Sequence, residues 1–153
     1  MNNHSSNIPV KSPIFFDSSC FIYTFEKHPI YHDLVKPIFN MLSENSIKGL
    51  TSIITVTEVL TAPFKEKKDE LVEYYLNIFS QTPQLSILLP FFQTSIEAAK
   101  IRAEYNFNTP DAYQLALAKE AGCKSFLTND KNLKKFKRFK ILILDEFMTS
   151  SPL

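Results

Sequence analysis

The chain has 153 residues, a length suited to one compact domain, and its 44% hydrophobic and 13% aromatic content can build a real core. A net charge of +1 gives no overall bias towards nucleic acid, and only two glycines, Gly49 and Gly122, exclude a glycine-rich phosphate loop. No apolar run reaches membrane-span length and no signal-peptide pattern opens the chain; Cys20 and Cys123 form no CxxC pair and read as reduced, buried thiols, so a cytoplasmic protein without membrane contact is expected.

Residues 1–12 are polar, rich in Asn and Ser and interrupted by Pro9; they are expected to form a flexible N-terminal tail, with residues 13–149 as a single domain. Pro13 precedes Ile14-Phe15-Phe16, a short apolar run of strand type, which Asp17 ends. Ser18 and Ser19 follow, and residues 20–25 read as the first turns of a helix. Leu34, Ile38, Met41 and Leu42 give residues 31–45 helical spacing, with Pro37 as a kink or a start. Leu50 and Thr51 begin a second strand. Residues 52–60 are rich in β-branched side chains, whose propensity favours strand. Yet Ile53, Val56, Val59 and Leu60 share one helical face and Ser52 is a good cap, so a helix is expected, stopped by Pro63.

Residues 66–82 read as a long amphipathic helix with Leu71, Tyr74, Tyr75, Ile78 and Phe79 inward. A third strand spans 85–89 between Pro83 and Pro90, and a helix capped by Thr94 or Ser95 runs to about 106. The stretch 108–130 carries the densest signal. Thr109 is expected to cap a helix, Pro110 suits its first turn, and Asp111 lies where the helix dipole favours a carboxylate. Ala112, Leu115, Ala116, Ala118 and Ala121 supply apolar surface, and Gly122 is a natural stop. Residues 124–128 read as a buried strand with Asp130 just past its end. A last strand at 141–144 and a final helical turn at 145–149 complete the chain. Strands alternating with helices imply an α/β protein, a three-layer α/β/α arrangement with a mainly parallel central sheet.

Ligands of open α/β sheets bind beyond the carboxyl ends of the strands. Asp17 and Asp130 follow strands, and the helix beginning near 109 can bring Asp111 to the same rim. Glu58 is a lone acid in an apolar helix, costly there unless paired, exposed or bound to a metal. Taken one at a time, Asp17 also has a reading as a helix cap, and Glu58 reads equally as a solvent-facing side chain. Taken together, like charges about 5 Å apart would repel by about 3 kcal/mol at an effective dielectric of 20, so their convergence calls for a cation. All-oxygen ligands select Mg²⁺ or Mn²⁺ over zinc. Such a site suits phosphodiester hydrolysis, in which the ion lowers the pKa of a bound water and neutralises charge on the phosphate. No other catalytic set competes: neither cysteine is poised as a nucleophile, and His28 and His32, with Pro29 between them, lack the HExxH pattern. Lys131, Lys134, Lys135, Lys137, Arg138 and Lys140 crowd the segment after Asp130, either as a solvated face or as a phosphate-binding path.

Four short motifs together resemble the PIN domain family: Phe15-Phe16-Asp17-Ser18-Ser19, the T-x-x-E-V-L at 55–60, the P-D-A-x-x-L-A-x-A at 110–118 and the F-L-T-N-D at 126–130. They stand in the family's order and spacing, and the resemblance covers about 14 to 144. Small PIN proteins of this kind are similar to VapC-type toxins. The resemblance therefore implies a Mg²⁺- or Mn²⁺-dependent endoribonuclease, the toxin of a toxin-antitoxin pair, with RNA as substrate and an antitoxin protein as partner. It implies Asp17, Asp111 and Asp130 as direct or water-bridged metal ligands, and Glu58 as a further catalytic acid that helps bind the metal or positions the attacking water. Ser18 and Thr128 would be supporting hydroxyls, and Lys131, Lys134 and Lys135 would steer RNA. Two departures stand out: Ser19 replaces an Asn common in relatives, and the chain runs for about a dozen residues before the first strand. The alternative is a PIN-fold module that binds RNA or protein with little or no catalysis. Phe21, Tyr23 and the helix over 31–45 are open to two readings, as core or as a surface for a homodimer or an antitoxin.

Overall fold

The computed structural model describes residues 7–148. Five strands form one sheet: β1 (Ile14–Phe16), β2 (Gly49–Ser52), β3 (Leu85–Leu88), β4 (Ser125–Thr128) and β5 (Lys140–Ile143), in the spatial order β3-β2-β1-β4-β5. Every neighbouring pair is parallel. Strands buried on both faces need apolar side chains on both, which explains the unbroken runs at β1 and β4. In register, Phe15 lies beside Phe126, and their rings stack at 4.6 Å with planes 5° apart.

Alternation along β1 divides the core in two. Ile14 and Phe16 face one side, with α1 (Ser18–Phe25), α2 (His32–Ser43), α3 (Ile53–Lys65) and α4 (Asp69–Gln81) supplying Phe21, Ile38, Val59 and Tyr75. Phe15 faces the other, where α5 (Phe92–Tyr105) and α6 (Thr109–Glu120) contribute Ile101 and Leu115. The expected three-layer α/β/α architecture is present. Fully burying a side chain such as Phe15 or Phe21 contributes about 1.5–3 kcal/mol. Gly49 is required by packing: a Cβ there would stand 2.7 Å from Leu42 Cδ2. Gly122, at φ +73°, ends α6 as expected.

Several expectations change. Residues 8–12 are docked against the domain. Ile8 is buried in the core beside Val10, the Lys11 N–H donates to Ser125 Oγ at 2.7 Å, and Ser12 Oγ accepts from the Lys48 N–H at 2.9 Å. Residues 1–6 of the expected tail, and Thr149 of the expected last turn, lie outside the described residues. A 3-10 turn, Leu144–Phe147, follows β5. Pro63 does not stop α3; it lies inside the final turns, and the chain breaks away at Lys67 with φ +54°. That break delays α4 to Asp69. α5 begins at Phe92, and Thr94 closes its start from inside, its Oγ1 accepting the Phe91 N–H at 3.0 Å. Asn108, not Thr109, caps α6: Asn108 Oδ1 accepts the Asp111 N–H at 2.9 Å. Phe21 is wholly buried and belongs to the core.

Candidate active site

Strand order reverses at β1: the chain builds outward through β2 and β3, then returns to place β4 on β1's other edge. The crevice beyond the carboxyl ends of β1 and β4 is therefore the switch point where open sheets bind ligands. Asp17 leaves β1 there and caps α1, and Asp130 follows β4. Helices that return antiparallel to the strands start at this rim, so α6 delivers Asp111 in its first turn. α3, starting straight from β2, brings Glu58.

Asp17 has the most elaborate surroundings. Its Oδ1 accepts from Ser19 Oγ at 2.6 Å and from the Cys20 N–H at 3.3 Å, and the Thr128 hydroxyl also bonds the carboxylate. Burial pushes this carboxyl above its ordinary range, while the hydroxyls and the amide pull it back. Thr128, fully buried, also accepts the Asp130 N–H on its Oγ1 at 3.1 Å, so one hydroxyl ties together the ends of β1 and β4. Asp130 Oδ1 accepts the Asn132 N–H at 3.0 Å and so caps the 3-10 turn Lys131–Lys135.

Glu58 is exposed yet drawn into the rim, its Oε2 accepting from Ser18 Oγ at 3.4 Å. Its carboxyl is raised, first by lost hydration and then by the negative charges of Asp17 and Asp111. Asp111 is raised likewise, by lost hydration and then by Asp130 and Asp17. Glu58 thus feels the charges of Asp17 and Asp111, and Asp111 those of Asp130 and Asp17, across the crevice. Among the described residues, however, no three His, Cys, Asp or Glu side chains are gathered closely enough to hold one ion directly. The carboxylates line one rim without converging on a single point. Their all-oxygen chemistry fits a hard divalent ion that retains several waters of its own.

The three lysines expected to meet RNA each have a protein partner. Lys131 Nζ lies 3.7 Å from Asp145 Oδ2, Lys134 pairs with Glu146, and Lys135 Nζ stands 5.3 Å from the centre of the Phe107 ring. The basic segment leaves the acid rim at Lys131 and reaches the amino end of the strands at Lys140, which sits in register with Ser125. Only its first part adjoins the acids. Both cysteines are free and buried; burial pushes Cys20 well up and Cys123 to about 12, so neither supplies a thiolate.

Two contributors go beyond the residues expected from sequence. Ser19, which stands where relatives commonly carry Asn, donates to Asp17 Oδ1 at 2.6 Å. Gln114, one helical turn beyond Asp111, is buried between α6 and α3; its partners are remote in sequence, and no local pattern announces them.

The PIN domain family profile matches residues 14–139. The chain belongs to the PIN domain family. Among curated proteins, Ribonuclease VapC1 of Aquifex aeolicus (strain VF5) is 29% identical over 125 residues, covering 78% of this chain and 82% of that protein. The PIN fold is also shared with solved structures. A chain of VapBC2 from Rickettsia felis, bound to a DNA fragment from its promoter, superposes with a TM-score of 0.68 at 19% identity, covering 85% of this chain and 97% of that one. A chain of DNA-bound VapBC from Salmonella typhimurium gives 0.67 at 18% identity, covering 88% and 99%. The sarcin-ricin loop cleaving toxin VapC20 of Mycobacterium tuberculosis gives 0.57 at 14% identity, covering 74% and 86%.

Proposed function

We propose that this PIN protein is a metal-dependent endoribonuclease that hydrolyses RNA phosphodiester bonds and acts as the toxin of a toxin-antitoxin pair. What supports this reading is that Asp17, Asp111 and Asp130 lie at element ends on the carboxyl rim of the sheet, with Glu58 and Asp111 raised in pKa by lost hydration and by acids of that rim. The naming of the relatives as a ribonuclease and as VapBC complexes supports it.

Asp17, Asp111 and Asp130 would hold Mg²⁺ or Mn²⁺, directly or through water. The bound ion would supply an activated water and neutralise charge on the phosphate. The chain's own side chains do the rest. Ser19, Thr128 and the Cys20 N–H fix the orientation of Asp17. Glu58, steadied by Ser18 and open to solvent, orients a water and accepts its proton on a carboxylate oxygen. Lys131, Lys134 and Lys135 exchange their acidic or aromatic partners for RNA phosphates, an exchange that costs little because exposed ion pairs are worth only about 0–1 kcal/mol.

An antitoxin, or a second copy in a homodimer, would cover exposed apolar side chains such as Phe64, Tyr74, Phe91 and Phe92. Among the described residues no helix is long and apolar enough to cross a membrane, which accords with the proposed cytoplasmic location. A second reading, a PIN module that binds RNA or protein with little catalysis, draws support from the lack of three acids gathered around one point among the described residues. Incubating the pure protein with a mixed RNA pool, with and without Mn²⁺ or Mg²⁺, separates the two. The nuclease cleaves only with metal and loses cleavage in Asp17→Asn and Asp111→Asn. Intact RNA under every condition, with tight binding retained, establishes the module.

A further inference from the structure

α6 is an alanine-rich helix whose inward positions are almost all small or aliphatic. Gln114 breaks that pattern and is 4% exposed. A buried amide without partners is costly, and here both ends are satisfied at one junction, the end of β2 and the first turn of α3. Its Oε1 accepts from Ser52 Oγ, and its Nε2 donates to Thr55 Oγ1 at 2.8 Å. Ser52 and Thr55 are themselves fully buried. Ser52 also caps α3, its Oγ accepting the Ile54 N–H at 3.1 Å. The amide therefore grips the start of α3 at two points.

Spacing gives this grip its consequence. Gln114 lies three residues after Asp111 on α6, and Thr55 lies three residues before Glu58 on α3; residues three apart are neighbours on a helix surface. Asp111 and Glu58 repel across the gap between the two helices. The neutral bridge one turn below opposes that repulsion without adding charge. A salt bridge at the same place would compete with any cation for the carboxylates, and an apolar contact would set no rotation of one helix against the other.

We propose that Gln114 is a positioning residue of the active site: its amide, held by Ser52 and Thr55, sets the separation of Asp111 and Glu58 against their mutual repulsion. The role in catalysis rests on the proposed metal centre; the role in holding two like charges does not.

Gln114→Met keeps an unbranched side chain of similar length and removes both hydrogen bonds, and Thr55→Val removes one of them from the other side. Both variants, with wild type, are titrated with Mn²⁺ and assayed on RNA at saturating and limiting metal. Loss of oriented support for metal ligands costs about 10–100-fold in affinity or activity. The expected result is a Mn²⁺ dissociation constant raised at least tenfold, kcat lowered at limiting metal, KM for RNA within about threefold of wild type, and recovery of rate at high Mn²⁺. Equal Mn²⁺ affinity and equal kcat in folded variants would overturn the proposal.

A metal-free arm separates this from the metal reading. Melting temperatures in EDTA are measured for wild type, Gln114→Met, Glu58→Gln and the double variant. A bridge that holds two like charges in place against their repulsion predicts a larger loss from Gln114→Met once Glu58 is uncharged, because in wild type the lost bonds are partly offset by relief of that repulsion. Additive losses would mean that Gln114 only fills space, and would overturn the proposal. Wild type that binds no Mn²⁺ would remove the metal centre, while the non-additivity in EDTA would still decide the role of Gln114.

Discussion

Ser18 Oγ donates to Glu58 Oε2 across 3.4 Å, joining the first helix after β1 to the helix after β2. The bond draws an exposed glutamate towards the carboxylates at the ends of β1 and β4. Ser18→Ala would release Glu58 without touching the other acids. A several-fold fall in kcat for RNA cleavage, with the apo melting temperature unchanged within about 2 °C, is the expected outcome. The exposed side chain and the long bond argue for a small effect on stability. Steady-state kinetics and thermal melts check it.

The crowded acids give the metal-free protein a defined pH dependence. The folded-state pKa values of Asp17, Glu58 and Asp111 lie above the ordinary 3.8 for Asp and 4.5 for Glu. The native state therefore holds protons more tightly than the unfolded chain between those ordinary values and the raised ones. Within that window stability falls as pH rises; above it the penalty is complete, and below it the penalty is absent. In EDTA, wild type should gain stability relative to Asp111→Asn as pH is lowered from neutral into the carboxylate range. At neutral pH, Asp111→Asn should melt at or above wild type. Thermal melts of the two proteins across pH measure the difference, and a marked destabilisation of Asp111→Asn at neutral pH would contradict the repulsion.

Ser19 holds Asp17 more tightly than the residue beside it holds Glu58. Its hydroxyl lowers the Asp17 pKa against the push of burial. Ser19→Ala should raise that pKa further and weaken metal binding and activity by about 10–100-fold. A pH-rate profile whose acid limb moves to higher pH in Ser19→Ala distinguishes this from a simple loss of packing.

Lys131 lies nearest the acid rim of the three candidate RNA-binding lysines, and its partner Asp145 is partly exposed. Lys131→Ala should raise KM for RNA with little change in kcat. Removing one charge that neutralises a phosphate should reduce the salt slope of binding to single-stranded RNA by about 0.7. Lys140→Ala, at the amino end of the strands and away from the acid rim, should leave both nearly unchanged. Binding isotherms at several salt concentrations test the pair.

Much of this arrangement was legible in the sequence because it depends on local pattern. Ile14-Phe15-Phe16 and Phe126-Leu127 are apolar on both faces, as central parallel strands must be. Asp17 and Asp130 follow those strands directly, so topology alone carries them to one rim. The helix at Ile53–Lys65 was legible against its β-branched composition because Ser52 caps it and Val59 and Leu60 face the core, although Ile53, expected on the same face, is exposed. What stayed hidden depends on partners distant in sequence or on close competition. Asn108 and Thr109 are both good caps, and only the reach of Asn108 Oδ1 to the Asp111 N–H decides between them. Pro63 falls where the helix has few turns left, so the missing hydrogen bond does not end it. Ile8 is a single apolar residue in a polar stretch and shows its burial only against the assembled core. Gln114 meets Ser52 and Thr55 across 62 and 59 residues.

On the proposed function, Asp17, Asp111 and Asp130 hold a divalent ion at the rim beside Glu58. Calorimetric titration of Mn²⁺ into metal-free protein tests it most directly. Saturable binding to wild type, weakened at least tenfold in both Asp17→Asn and Asp111→Asn while each variant remains folded, is the predicted result. Binding of equal strength in wild type and both variants, or none in any of them, would contradict it.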